Sequence, residues 1–482
     1  MSTAAALPST AASSEGTLLG HPKGLFVLFF TEMWERFSYY GMRSLLVLYM
    51  VNFLFIQPDV GARVLGFNAV KGMYESLFHA SFAAQPLSSW IYGLYTGFVY
   101  FTPFFGGLLA DRILGQRRTV VVGGALMAIG HFMMASERLF FPALFTLILG
   151  NGCFKPNIST QVGLLYPPGD KRRDSAFSIF YVGINLGAFL APLVCGTLGQ
   201  RVGWHYGFAA AGVGMVLGLI FYLLNQKHLA PDVLAQRRAA VVATKQSMTR
   251  EEWMRVLAIC VACLIVAAFW AVYEQQGNTL QLWADANTRW TFFGLTIPST
   301  WYQAFNPFMI FFFTPLLTSL WGWQAARGKE PTSLTKMAMG CVMLGLGFVV
   351  MIAAANGLTD PHAKRSIMWL VGSTVIYTFG ELYLSPIGLS FVTKVAPVRM
   401  VSMMMGVWFL ANFIGNYMTG YLGTFYEKMP KTQFFTMLTA IGVVAGVVLF
   451  IIGRPLNKIV SSHDKHEELP APHELKPVRP TI

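Results

Sequence analysis

The stretch that decides the fold lies near the start of the chain, at residues 24–51, and reads GLFVLFFTEMWERFSYYGMRSLLVLYMV. It is long enough to cross a bilayer, whose hydrocarbon core of about 30 Å requires about 20 residues of α-helix. The same stretch carries four charged side chains, Glu32, Glu35, Arg36 and Arg43. Such side chains in an apolar helix indicate a membrane span whose charges face one another or a water-filled cavity.

The composition of the whole chain supports this interpretation. Of its 482 residues 55% are hydrophobic and only 12% are charged, whereas a soluble domain has about 25% charged residues. These values exclude a disordered chain, a disulfide scaffold and an ordinary cytosolic enzyme. The net charge is +13 on a chain with few charged residues. No segment has the basic soluble face that binding to nucleic acid requires.

The five cysteines all fall in apolar stretches, and their odd number implies no disulfide framework. Cys260 and Cys263 have the spacing of a redox pair. Their setting, LAICVACLIVAAF, is that of a lipid-spanning helix. We therefore expect them to be small packing residues.

Apolar stretches of sufficient length recur along the chain and predict an all-α integral membrane protein with twelve spans. They lie at residues 24–56, 88–111, 119–136, 139–166, 174–199, 203–225, 254–284, 299–323, 333–356, 366–396, 400–425 and 433–454. The polar segment 226–253 divides them into two six-helix bundles, at 24–225 and 254–454, as in transporters built from two packed bundles. Residues 1–23 and 455–482 form polar tails, and the second is expected to be disordered.

The basic residues of the loops predict the orientation. If the N-terminus is cytoplasmic, the inner loops hold 17 Lys and Arg residues and the outer loops hold nine. Cytoplasmic loops carry the excess of these residues, so both termini are predicted to lie in the cytoplasm. In the outer segment 57–87, residues 70–83 are compatible either with a short interfacial helix or with a solvated loop.

Other spans also carry ionisable residues, namely Lys155 in the first half and Glu274 and Glu381 in the second. In the first span, helical spacing puts five residues on one side, Glu32, Arg36, Tyr39, Tyr40 and Arg43. A cavity between the halves would then have a positive and a negative wall, which suits a zwitterion such as a free peptide. Purely structural ion pairs are the alternative.

Uncharged polar and aromatic residues within the spans are further candidates for the wall of such a cavity. They are Tyr100, Asn185, Asn306 and Asn412, with Trp270 one turn before Glu274 and Trp408 one turn before Asn412. Aromatic walls with a few polar groups are typical of a ligand pocket. For any single Trp or Tyr, core packing or an interfacial anchor is the alternative.

Four motifs resemble the proton-dependent oligopeptide transporters, a branch of the major facilitator superfamily. They are ERFSYYG at 35–41, FKPNIS at 154–159, FYVGINLGAFLAP at 180–192 and GELYLSPIGLS at 380–390. The segment GGLLADRILGQRR at 106–118 is similar to the loop between the second and third helices of that superfamily. The resemblance extends from about residue 20 to residue 455.

The resemblance implies a secondary active symporter of bacterial type in the cell (inner) membrane. It would import di- and tripeptides with protons by alternating access, as a monomer and without a cofactor. Protons would be coupled through Glu32, Glu35, Arg36 and Lys155, and the pair of Arg43 and Glu274 would join the bundles. The residues implied in peptide binding are Arg36, Tyr39, Tyr40, Arg43, Tyr100, Lys155, Asn185, Trp270, Glu274, Asn306, Glu381, Trp408 and Asn412.

The chain departs from the family pattern in several places. Segment 226–253 is too short for the two extra helices that many bacterial members have, and the brief loop 357–365 lacks the outer domain of animal members. Ala188 replaces the usual Ser of the fifth span. The second span has no His of the kind that animal members use for proton binding, and His131 and His205 are expected to be packing or surface residues.

Two other functions are alternatives to peptide transport. The first is a transporter of another anionic or zwitterionic solute, such as nitrate or a plant-type glucoside, because one scaffold serves several solutes. The second is an intramembrane enzyme, which would need a metal-ligand cluster or an activated nucleophile. No HExxH, GxSxG or paired-Asp motif lies in a span, so the sequence argues against an enzyme.

Overall fold

The computed structural model describes residues 17–167, 170–232, 248–358, 360, 363–397 and 400–464. The predicted tails and linker therefore lie partly outside the described residues. The parts outside are residues 1–16, 233–247 and 465–482. Before the linker the helices are α1 (Lys23–Tyr49), α2 (Val60–Arg63), α3 (Phe67–Phe78), α4 (Ala84–Phe101), α5 (Pro103–Leu109), α6 (Gln116–Met133), α7 (Phe140–Leu164), α8 (Arg172–Ala191), α9 (Thr197–Arg201) and α10 (Trp204–Leu224).

After the linker the helices are α11 (Arg250–Tyr273), α12 (Thr279–Asn287), α13 (Phe305–Ala325), α14 (Ser333–Ala355), α15 (Met368–Val395), α16 (Val401–Gly423) and α17 (Lys431–Asp464). Each of the twelve predicted stretches thus contains a helix. Eight helical segments of the described ranges are long and apolar enough to cross a membrane. The count of twelve spans stays a prediction, since α1 with its four charges is not among these eight.

Several features differ from the sequence prediction. Two short antiparallel hairpins were not predicted, one formed by β1 (Thr17–Leu18) and β2 (His21–Pro22) and one by β3 (Thr291–Phe292) and β4 (Leu295–Thr296). The last helix continues past residue 454 to Asp464, so the first ten residues of the predicted disordered tail are helical. In the outer segment, α2 and α3 favour the helical alternative over the loop.

Contacts between helices lie mostly within one half of the chain. In the first half α1 packs on α8 and α10, and α6 packs on α7 and α10. In the second half α14 packs on α15 and α17, and α11 packs on α16 and α17. The main exception is α4, which packs along α16. The division into two bundles at residues 226–253 stays a prediction.

The contact between α4 and α16 depends on two glycines. A Cβ added at Gly93 would lie 2.5 Å from the Cα of Gly420 and 2.6 Å from its backbone nitrogen. Real Cβ atoms essentially never lie so close to another heavy atom, so glycine at this position allows the two backbones to touch. Small residues serve this purpose in membrane helices, where close backbone approach drives association.

Hydrogen bonds join the two halves at the end of the molecule where α1 finishes. Ser89 Oγ donates to Asn278 Oδ1 at 2.8 Å, and Asn52 Nδ2 donates to Asp285 Oδ2 at 3.0 Å. Further bonds of this kind join Gln200 to Ser299 and Trp301 to Thr197. Polar side-chain bonds thus contribute to the contact between the halves at this end, beside the aromatic contact of Phe78 with Tyr421.

Candidate functional site

Three charged residues of α1 form one buried cluster. Arg36 Nε lies 2.9 Å from Glu32 Oε1 and 2.5 Å from Glu35 Oε2, so two carboxylates share one guanidinium. All three residues are buried, and Glu35 has no exposed surface. Lys155 of α7 interacts electrostatically with both carboxylates. The predicted proton-coupling residues of this half are therefore neighbours in space, and the cluster holds two acids and two bases.

A second ion pair crosses between the halves of the chain. The Arg43 guanidinium of α1 donates to Glu274 Oε2, and its Nε donates to the Tyr92 hydroxyl of α4 at 2.7 Å. Glu274 stands where α11 ends and a 3-10 turn, Glu274–Gly277, begins. Its carboxylate faces α1. The side chains of Arg43 and Glu274 are both almost completely buried.

The third carboxylate, Glu381, belongs to α15 and is held by an amide of α13. Asn306 Nδ2 donates to Glu381 Oε2 at 2.8 Å and contacts Thr378 Oγ1 at 3.1 Å. The Tyr273 hydroxyl donates to Asn306 Oδ1 at 3.3 Å. These bonds orient the carboxylate while the residue still lines a cavity.

That cavity has an empty volume of about 780 Å³, including the part that opens to solvent. One wall is formed by residues of the first half, Tyr40, Arg43, Tyr100, Tyr181, Ile184, Asn185 and Ala188. The opposite wall comes from the second half and includes Trp270, Tyr273, Glu274, Gln276, Gln303, Asn306 and Glu381. Both walls thus carry aromatic and polar groups, and the acidic residues lie on the second.

Eight of the predicted binding residues line this cavity, and five are not among its lining residues in the described structure. Arg36 is engaged by its two carboxylates, and Tyr39 is buried with its ring beside Arg36. Asn412 donates to the backbone carbonyl of Trp408 at 2.9 Å, so its amide is occupied within α16. The ring of Trp408 covers Gly388. Lys155 lies one layer behind the wall, with its Nζ 4.1 Å from the ring centre of Tyr100.

The sequence prediction missed other polar groups of the site. Tyr92 and Tyr273 bond to predicted residues, and Asn151 donates to Glu35 Oε1 at 3.1 Å. Asn151 precedes Lys155 by four residues, so helical spacing could have placed it on the same face of α7. For Tyr92 there was no comparable signal, because a tyrosine in an apolar helix usually packs in the core.

Potential metal ligands do not gather at this site. No group of three or more His, Cys, Asp or Glu residues that could hold a metal ion occurs in the described ranges. The five cysteines, all in those ranges, are free. Cys260 and Cys263 therefore form no disulfide in this structure.

Comparisons with known proteins agree on one family. A family model described as the POT family matches residues 117–234 and 231–444. The chain is 34% identical to an uncharacterized transporter, YclF, of Bacillus subtilis, over 90% of this chain and 94% of that protein. It is 32% identical to a di-/tripeptide transporter of Lactococcus lactis subsp. cremoris, over 93% of this chain and 98% of the relative.

Solved structures show the same similarity. A crystal structure of a peptide transporter POT in complex with sulfate superimposes with a TM-score of 0.79, at 33% identity, covering 93% of this chain and 98% of that one. A mutant of a peptide transporter POT in complex with alafosfalin superimposes with a TM-score of 0.78, also at 33% identity, covering 92% of this chain and 97% of that one. The prediction of an all-α membrane protein of the major facilitator type is thereby confirmed.

Proposed function

Because this chain belongs to the POT family, whose members are transporters and not enzymes, we propose that it imports di- and tripeptides together with protons. The protein is a multi-pass membrane protein. We place it in the cell inner membrane with both termini in the cytoplasm, on the basis of the excess of basic residues in the predicted inner loops.

One observation carries the proposal. A cavity between the two halves of the chain has acidic residues on one wall, and the ion pair of Arg43 and Glu274 joins the halves beside it. A ligand that enters this cavity contacts the ion pair of Arg43 and Glu274, and the same ion pair holds the two halves of the chain together. Binding, protonation and opening can therefore influence one another, as coupled transport requires.

The peptide would lie between the walls with its ammonium at Glu381. The Asn306 bond leaves that carboxylate facing the cavity, where it can accept bonds from an ammonium. We place the peptide carboxylate toward Arg36 and Lys155. Arg36 is neutralised by two carboxylates in this structure, so protonation of Glu32 or Glu35 would free part of its charge for the peptide.

Protonation of Glu274 would weaken its attraction to Arg43 and so loosen the closed end. With cytoplasmic termini, that end faces the outside, and we infer that the structure is inward-facing. Tyr181 lines the cavity, and the hydrogen bonds that join the halves at the outer end, Ser89 to Asn278 and Asn52 to Asp285, support access from the cytoplasmic side. After peptide and proton leave, renewed pairing of Arg43 with Glu274 would reclose the outer end.

The cavity also bears on the other solutes that the sequence left open. Glu274 is paired with Arg43 there, whereas Glu381 has no salt bridge among the described residues. An anion without a compensating ammonium, such as nitrate, would be repelled by Glu381. A neutral glucoside would leave the charged groups without a partner. A zwitterionic peptide satisfies both kinds of charge. All the residues invoked here lie in one chain, which supports a functional monomer, and we propose protons as the coupling ion.

Uptake into proteoliposomes tests the proposal. Purified protein is reconstituted and given labelled dialanine, with an acidic outside and with or without a protonophore. We expect accumulation above the outside concentration only while the gradient lasts, and competition by di- and tripeptides. The proposal fails if peptides neither accumulate nor compete while nitrate or a glucoside is taken up. Protein-free liposomes provide the control.

A further inference from the structure

One amide in the proton-coupling cluster is bonded on only one side. Asn151 of α7 is 1% exposed, and its Nδ2 donates to Glu35 Oε1 at 3.1 Å. Its other amide atom, Oδ1, is buried and has no hydrogen-bond partner in the described structure. Buried polar atoms are nearly always bonded, so an exception calls for an explanation.

The surroundings of Glu35 show why this amide matters. The second carboxylate oxygen lies 2.5 Å from Arg36 Nε. Glu35 also interacts electrostatically with Glu32 of α1, with Lys155 of α7 and with Tyr95 of α4. Within the described ranges these are the titratable and charged groups that face Glu35, and Asn151 adds a neutral bond to the oxygen that Arg36 does not occupy.

Hydrogen-bond chemistry connects the unbonded oxygen to the proton. An ionised carboxylate only accepts hydrogen bonds, whereas a protonated one also donates, and an asparagine amide can do either through its nitrogen or its oxygen. Turning the amide over would put Oδ1 where Nδ2 is now. It would then accept a bond from the protonated oxygen of Glu35.

We propose that Asn151 is a positioning residue for proton coupling, which donates to ionised Glu35 and, with its amide turned over, accepts from protonated Glu35. The role rests on the proposed proton-coupled function. Both protonation states of Glu35 then keep a partner in a site without exposure to solvent. The ionised state gains more, because a hydrogen bond to a charged group is roughly twice as strong as a neutral one.

This assignment predicts the effect of removing the amide. Asn151→Leu keeps a side chain of similar size but no donor, so ionised Glu35 loses more than protonated Glu35 does. The pH at which Glu35 is half protonated should rise by roughly one unit. Asn151→Asp keeps the shape and adds a negative charge, so it should raise this pH further.

Infrared titration of the purified full-length protein measures this directly. The carboxylic-acid C=O band of Glu35 is assigned by its loss in Glu35→Gln and then followed against pH. Asn157→Leu is the matched control, because Asn157 lies on the same helix, is also buried, and bonds to the backbone carbonyls of Gly106 and Cys153. It should alter stability without moving the band.

The outcomes separate the inference from the function on which it rests. A midpoint in Asn151→Leu equal to that of Asn157→Leu would overturn the assignment. If Asn151→Leu does not fold, Asn151→Asp is measured instead. The assignment is then overturned if Glu35 in Asn151→Asp is half protonated at the same pH as in the wild type. In proteoliposomes the pH profile of driven dialanine uptake should shift with the band. If the midpoint of the Glu35 band shifts in Asn151→Leu while the wild-type protein transports no peptide, that result supports the positioning role of Asn151 and rejects the proposed function.

Discussion

Glu274 bonds to Arg43 at the residue where the α-helix of the seventh predicted span gives way to a 3-10 turn. Glu274 is the C-cap of this helix, and its bond to Arg43 joins the two halves of the chain. Removing one partner of a buried pair leaves the other charge uncompensated, which costs about 3–5 kcal/mol. The closed end therefore depends strongly on the charge of one side chain.

Glu274→Gln should open the end that this pair closes. The amide keeps the shape of the carboxylate but not its charge, so the closed state loses stabilisation. Spin labels at Ala62 and Phe293, introduced into a chain whose native cysteines are replaced, report the distance between the halves at that end. We expect a longer-distance population to appear. Glu330→Gln is the control, because its partner Lys336 lies in the same half at 2.5 Å; equal distance changes in both variants would contradict the prediction.

Glu32→Gln should uncouple protons from peptide. Arg36 would keep Glu35 as a partner, so the fold survives, while one proton acceptor is lost. Uptake driven by a pH gradient should fall to background, and exchange of labelled for unlabelled peptide should persist. Glu75→Gln is a matched control, since Glu75 also pairs across one helical turn, with Lys71 at 3.8 Å, but is partly exposed. Exposed pairs contribute little, and full driven uptake in Glu32→Gln would reject the coupling role.

Glu381→Ala should weaken binding of normal dipeptides more than binding of analogues without the free amine. A hydrogen bond to a charged group contributes about 1.5–3 kcal/mol, so the apparent KM for dialanine should rise about 10- to 100-fold. The measurement is competition against labelled peptide by dialanine and by its amine-free analogue. Glu137→Ala, which removes an acid bonded to Arg63 outside the cavity, should change neither. An equal loss for both ligands would remove Glu381 from ammonium recognition.

Gly93→Ala should impair closure between α4 and α16. The new methyl group would meet the backbone of Gly420 and the carbonyl of Asn416, neither of which can yield without moving a helix. We expect peptide uptake to fall about 5- to 150-fold, because a forced backbone shift in a packed contact costs about 1–3 kcal/mol. Gly107→Ala is the control, since a Cβ there meets nothing within 4 Å. Wild-type uptake by Gly93→Ala would show that this contact does not limit transport.

Much of the site could be predicted from α1 alone. Helical spacing put Glu32, Arg36 and Arg43 on one face, and the structure joins the first two to each other and the third to the opposite half. The cost of lipid-exposed charge makes this inference safe without a structure, because such residues must find partners. The same reasoning could not say which partner each charge takes.

Local patterns predicted the ends of the chain and the helix breaks less well. The tail after residue 454 is polar, yet α17 runs to Asp464. The break at Glu274 falls in a stretch with no proline. It accompanies an ion pair with a residue 231 positions away, and a local window contains no information about such a contact.

Local patterns also predicted only in part which residues line the cavity. Trp408 and Asn412 have the character of pocket residues, but Asn412 bonds within its own helix and Trp408 covers a glycine. Tyr273 and Asn151, which the sequence prediction did not single out, bond to residues of the predicted site. A side chain on a helix can face any of several neighbours, and only the packing of those neighbours decides which.

By itself, the sequence determined that this protein lies in a membrane and that its buried charges must meet, because hydrocarbon tolerates neither exposed backbone nor unpaired charge. The tertiary structure alone decided which charges pair, which residues reach the cavity and which end is closed. Those outcomes depend on rotations and close approaches of whole helices, such as α4 against α16, and such rigid-body geometry is set by contacts between residues far apart in the chain.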